Sequence, residues 1–231
     1  MSNIEKWKIA AEAEKEFWFQ EDVKAIKTGI HWRKFLKDNF QIDFGFFGGK
    51  SVMEVGCGPY GIIHFIDPIR PPLKIGIDPL DFCKIWERFK IKTPHIMAAG
   101  EKLPFRDQSI DIVICFNVLD HVIFPKKVVA EISRVLKKNG RLLLWLHTVK
   151  SFIKPIEVIF GLFDRIHPHH FYPTEVVKLL RKEGLRPILI SNKRFKEGSI
   201  MRAFVTSLLY DDFKVATGNF FINNMFMVLR K

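Results

Sequence analysis

The chain has 231 residues, enough for one large domain with a substantial core. Hydrophobic residues make up 48% and charged residues 27%, which excludes a disordered or collagen-like chain. Lysine and arginine outnumber aspartate and glutamate 37 to 25, and the net charge of +12 favours anionic partners such as nucleic acid, phosphorylated small molecules or an anionic membrane. The basic residues are spread along the chain with no dense run, which argues against a nucleic-acid tail.

Residues 4–38 carry apolar side chains at spacings near three and four, so a helical segment is predicted there, rich in Trp7, Trp18, Trp32 and Phe35. Gly45, Gly48 and Gly49 break it. Strands are then predicted at 51–55, 74–78, 95–100, 111–117 and 141–147. Between the last two, 125–140 reads as an amphipathic helix with Val128, Val129, Ile132, Val135 and Leu136 on one face and Asn139-Gly140 as its stop. The stretch 148–172, interrupted by Pro155 and Gly161, departs from this rhythm and reads as a lid inserted over one end of the sheet. A helix is predicted from Thr174 to Glu183, closed by Gly184, and final strands at 187–191 and 224–230. Repeated strand–helix units imply an α/β fold with a doubly wound, mostly parallel sheet.

Cys57, Cys83 and Cys115 are scattered, which gives no disulfide framework and no paired metal spacing; no metal is expected. The first residues carry charges where a signal peptide needs an apolar run, and no stretch reaches the roughly 20 apolar residues of a membrane span. A cytoplasmic protein is expected. Peripheral membrane contact stays open through 150–165, where Lys150, Lys154 and Arg165 edge an apolar segment; a buried lid is the favoured alternative.

The most informative segment is Val52-Met53-Glu54-Val55-Gly56-Cys57-Gly58-Pro59-Tyr60-Gly61. An apolar strand leads into glycines at the first, third and sixth positions of a turn, followed by a predicted helix. Such glycines allow a tight turn and close approach of backbone to a nucleotide. Asp78, 20 residues after Gly58, ends the next strand, where a carboxylate can accept both hydroxyls of a ribose. A dinucleotide and S-adenosylmethionine both fit. Glu54 favours the second, because an acid there repels a pyrophosphate but can help hold a cationic amino acid, directly or through its loop.

Over residues 48–147 the sequence resembles the class I S-adenosylmethionine-dependent methyltransferases, in particular the methyltransferase type 11 group. The carriers are VMEVGCGPYG (52–61), IGIDP (75–79), GEKLPFRDQSIDIVICFNVLDHV (100–122) and EISRVLKKNGRLLLWLH (131–147). The resemblance implies a single Rossmann-like domain: an N-terminal helical cap (1–45), a cofactor-binding core (50–147), the lid (148–172) and a C-terminal helix and strands (173–231). It implies that Glu54, Gly56 and Gly58 line the methionine and ribose end, that Asp78 binds the ribose, and that Pro79 and Leu80 flank the adenine. Gly100 and Glu101 would meet the adenine edge, and Asn117 would lie beside the transferred methyl. Many relatives carry aspartate at the place of Ala99 to hold the adenine amino group; this chain does not.

His121 follows the fourth strand at the edge where substrates enter an open α/β sheet. It reads as a general base for a hydroxyl acceptor or as a structural histidine. His147, and His170 within the cluster His167-Pro168-His169-His170, are the alternatives. The expected activity is methyl transfer to a small-molecule or glycan-type acceptor, at oxygen. Competing readings are an RNA or other nucleic-acid methyltransferase, against which Asn117 lacks a following Pro-Pro-aromatic run, and a non-catalytic binding protein of the same fold.

Overall fold

Alternating side chains along the central strands point to opposite faces of the sheet, and each face carries its own core. The computed structural model describes residues 3–20, 28–66, 71–149, 169–194 and 222–231. Seven strands are seen: β1 (Ser51–Val55), β2 (Leu73–Asp78), β3 (His95–Met97), β4 (Ile110–Phe116), β5 (Leu136–Val149), β6 (Arg186–Arg194) and β7 (Ile222–Arg230). They form one sheet in the order β3-β2-β1-β4-β5-β7-β6. Pairing is parallel from β3 through β5, and β7 runs antiparallel to both β5 and β6. This is the mostly parallel, Rossmann-like α/β sheet expected from the sequence.

On one face Met53, Val55, Val113, Cys115 and Leu144 pack against α4 (Pro125–Val135) and α5 (Pro173–Lys182) through Val128, Ile132, Val176 and Leu180. On the other, Val52, Ile112, Ile114, Phe116 and Phe226 meet Leu36 and Phe40 of α2 (Thr28–Phe40) and Ile85 and Trp86 of α3 (Cys83–Arg88). Phe40 stacks on Phe116 with ring centroids 5.1 Å apart, and Phe35 lies 5.1 Å from Trp145. The remaining helix, α1 (Asn3–Gln20), precedes α2.

Two expectations change. The helix predicted over 125–140 ends at Val135, and β5 begins at once with Leu136. The reason is tertiary: Leu136 pairs with Ile110, and the carbonyls of Arg134 and Val135 accept from Gln108 N and Ser109 N rather than from a further helical turn. Asn139 keeps its turn role inside the strand, with φ +65°. The helix predicted after the glycine turn shrinks to one 3-10 turn, Ile62–His64. Pro71 and Pro72, just before β2, lack the backbone donors that a helix continuing to the strand needs. The lid expectation falls mainly on 150–168 and the membrane-contact segment on 150–165, both outside the described residues. Among the described residues no helix is long and apolar enough to cross a membrane.

Phe40 is fully buried between α2 and the sheet. Phe40→Ala is expected to cost about 3–5 kcal/mol of stability, the usual loss for a truncated core phenylalanine. Urea unfolding checks this; a loss under about 1 kcal/mol contradicts the packing described.

Candidate functional site

The site begins where β1 stops. Gly56 N and Cys57 N both donate to Ile77 O, at 2.7 and 3.2 Å, which folds the turn back over the end of β2. Gly56 has φ +67°, and a Cβ there would lie 2.3 Å from Val118 Cγ2, so no other residue fits without displacing the β4 loop. Gly58 has φ +50° with open space beside it.

Asp78 closes the turn from the other side. Its Oδ2 accepts from Gly58 N and its Oδ1 from Leu80 N, each at 2.9 Å. Burial pushes its carboxyl up to about 6, against the opposing pull of these two donors. Glu54 lies deeper, 2% exposed, and its Oε2 accepts from Ile63 N at 2.8 Å. Desolvation pushes its carboxyl up to about 8. A Cβ on Gly61 would sit 2.5 Å from Glu54 Oε2, so the third glycine of the motif makes room for this acid.

These groups open onto one cavity of about 480 Å³. Glu54, Gly56, Gly58, Asp78, Pro79 and Leu80 line it from the β1 and β2 ends, and Gly100, Glu101 and Asn117 from the β3 and β4 ends. Ala99 also lines it and offers only a methyl group. Glu101 is committed on one side: its Oε1 accepts from Ile123 N and Phe124 N, which fixes the approach to α4. Asn117 adopts φ +54°, held by its N–H donating to Trp145 O at 2.7 Å. Its Oδ1 is buried with no hydrogen-bond partner among the described residues, and so is the Tyr60 hydroxyl on the same wall. Trp7 and Trp18 of α1, with Trp32 and Phe35 of α2, complete an aromatic enclosure.

His121 lies on this wall, with its Nδ1 3.5 Å from Glu14 Oε1 and its Nε2 3.8 Å from Asp120 Oδ1. Glu14 was not foreseen as a site residue. It lies on α1, and Trp18 one turn further on donates its indole N–H to Glu14 Oε2 at 2.9 Å. That spacing of four is the only trace of the pair in the sequence. His147 and His170 are not part of the cavity lining. His147 stands on β5 beside Trp145, ring centroids 5.9 Å apart. His169 donates its Nε2–H to Val122 O at 2.8 Å, and burial lowers its proton affinity, so it acts as a neutral tie between the 169–172 segment and the His121 loop. His167 lies outside the described residues.

A family model described as a methyltransferase domain matches residues 53–144. An uncharacterized protein of Methanocaldococcus jannaschii is 30% identical over 153 residues, 63% of this chain and 69% of that one. A ubiquinone biosynthesis O-methyltransferase of Idiomarina loihiensis is 26% identical over 69% of this chain and 70% of its own. Other relatives are named as a thiol S-methyltransferase (Rattus norvegicus) and a tRNA U34 carboxymethyltransferase (Campylobacter curvus), and the matches span 42% of each of those two proteins. Among solved structures, geranyl diphosphate C-methyltransferase of Streptomyces coelicolor, in complex with S-adenosyl-L-homocysteine, shares the fold with a TM-score of 0.59 at 13% identity, over 87% of this chain and 78% of that one. A matching domain, a matching relative and a sheet with the glycine turn at the end of its first strand agree: the chain belongs to the class I S-adenosylmethionine-dependent methyltransferases.

Proposed function

We propose that the protein transfers the methyl group of S-adenosylmethionine to an oxygen nucleophile on a small-molecule or glycan-type acceptor. The observation that carries this reading is the convergence of Gly58, Asp78, Asn117 and His121 on one aromatic-walled cavity. The residues present fit the cofactor. Each Asp78 oxygen accepts one backbone N–H and keeps further lone pairs for the ribose hydroxyls. Asn117 Oδ1 is a buried acceptor that needs a donor, and an ammonium supplies one. Pro79 and Leu80 offer apolar surface for the adenine, with Gly100 leaving room at its edge. Glu54 acts through its loop, by holding Ile63 N.

S-adenosylmethionine supplies a methyl group already activated on a sulfonium. The chain's own work is then positioning in a cavity from which aromatic rings exclude water. His121 takes the proton of the acceptor hydroxyl on a ring nitrogen, and the Glu14 carboxylate steadies the imidazolium that forms. Enclosure by α1 and α2 favours a small acceptor over a polynucleotide. Incubation with radiolabelled cofactor tests this: label should enter hydroxylated small molecules or glycans. Label in RNA would establish the nucleic-acid reading, label in thiols alone would overturn the oxygen assignment, and no transfer to any acceptor class would favour a binding protein.

Asp78→Ala removes the proposed charge-assisted bonds to the two ribose hydroxyls, worth about 1.5–3 kcal/mol each, together with the bridge from Gly58 N to Leu80 N. Cofactor affinity should fall at least about tenfold in a calorimetric titration, with circular dichroism unchanged. In the wild type, affinity should weaken as pH falls through about 6, because protonation removes one of the two acceptor oxygens. Full affinity in the variant would place the ribose elsewhere.

His121→Ala should lose roughly 10²–10⁴ in turnover, the worth of a positioned base, with cofactor affinity unchanged. A variant that only melts earlier, at full turnover per folded molecule, makes the histidine structural.

Glu54 has a folded-state value of about 8 against an ordinary value of 4.5, so the native state holds a proton that the unfolded state releases between these limits. Stability contributed by this group is therefore present at low pH and lost as pH rises toward 8. The stability of wild type relative to Glu54→Gln should decline over that window in paired urea titrations. A flat difference would mean that Glu54 is ionised in the native state at neutral pH.

A further inference from the structure

Beside the glycine turn, three ligand-bearing side chains from separate segments meet. Cys57 of the turn, His64 of the 3-10 helix and His95 at the start of β3 present ligand atoms within 4.8 Å of one another. No paired spacing in the sequence announced them. Cys57 and His64 are buried, at 2% and 8% exposure. Gly76 on β2 makes the meeting possible: a Cβ there would lie 2.7 Å from Cys57 Sγ and 3.2 Å from His95 Cδ2. Trp86 stacks on the His95 ring at 3.6 Å and 12°, and the two imidazoles lie 5.1 Å apart. His95 Nε2 is buried and has no hydrogen-bond partner among the described residues. A nitrogen lone pair or N–H left so is costly unless something else satisfies it.

We propose that Cys57, His64 and His95 bind one transition-metal dication of the zinc class, with water in a fourth position. One thiolate and two imidazoles are the donor set that such a borderline-soft ion takes and that magnesium and calcium avoid. Ligand atoms around a tetrahedral zinc lie about 3.3–3.8 Å apart, so the site closes by about an ångström on filling. Binding forms the metal–Sγ bond and breaks the Cys57 S–H bond, and the proton leaves to solvent. Burial, and after it the neighbouring Asp78 and Glu54, push the Cys57 thiol up, so before binding it holds the proton that the metal displaces. The Lys74 ammonium near His95 opposes a second cation, and the Cys57 thiolate formed on binding offsets it. The role is structural: the ion ties β3 to the loop whose Gly58 and Ile63 amides hold Asp78 and Glu54.

The test is a cobalt(II) titration of the full chain carrying Cys83→Ser, which removes the one exposed thiol and leaves the buried Cys57 and Cys115. One equivalent should produce a thiolate-to-cobalt charge-transfer band with tetrahedral d–d bands. Zinc(II) should erase both and raise the thermal midpoint. Adding Cys57→Ser should abolish the charge-transfer band, and His95→Gln should abolish the tetrahedral bands, so either variant decides if the other fails to fold. No charge-transfer band in the Cys83→Ser protein, or one that persists in folded Cys57→Ser, overturns the proposal.

Discussion

The Asp78 carboxylate bridges two stretches of backbone, accepting from Gly58 N on one side and Leu80 N on the other. That bridge needs β1 and β2 to be parallel neighbours in register, with Val55 opposite Ile77. Ile77 O then receives Gly56 N and Cys57 N, and the turn lies across the end of β2. Only glycine tolerates the positive φ at Gly56 against Val118. A buried carboxylate is costly near neutral pH, and two amide donors offset much of that cost. Asp78 also lines the cavity, so the group that fixes the turn is also the one proposed to meet a ribose.

The second constraint is aromatic. Phe35 touches Phe116, Trp145 and Phe226, so α2 is fastened to the sheet face where β4 ends beside β5. Trp32 extends this cluster into the cavity wall, and α1 adds Trp7 and Trp18. Packing thus becomes enclosure: rings that stabilise the helices on the sheet also wall the site. Glu14 rides on α1 and reaches His121 because α1 lines the same cavity wall.

The sheet was legible because β1 and β4 are short apolar runs bounded by turn signals, and because Gly56, Gly58 and Asp78 have the spacing of a strand, a glycine turn and the end of the next strand. Three things were not. The end of α4 depends on Gln108 and Ser109, residues far from it in sequence that take its last carbonyls. Glu14 looks like any charged residue of a surface helix until α1 is laid over the cavity. Cys57, His64 and His95 come together only through the missing side chain of Gly76, which local patterning reads as an ordinary strand residue. Local sequence carries period and turn chemistry; it does not carry which distant atoms satisfy a helix end or share a buried corner.

The central claim is that the Gly56–Gly58 turn and Asp78 form an adenosyl site for a sulfonium cofactor rather than a dinucleotide site. Titration calorimetry of the full chain with S-adenosylhomocysteine and, separately, with NAD tests it most directly. The account predicts saturable binding of the first at one site per chain and no comparable heat from the second. Saturable binding of NAD with none of S-adenosylhomocysteine would contradict it.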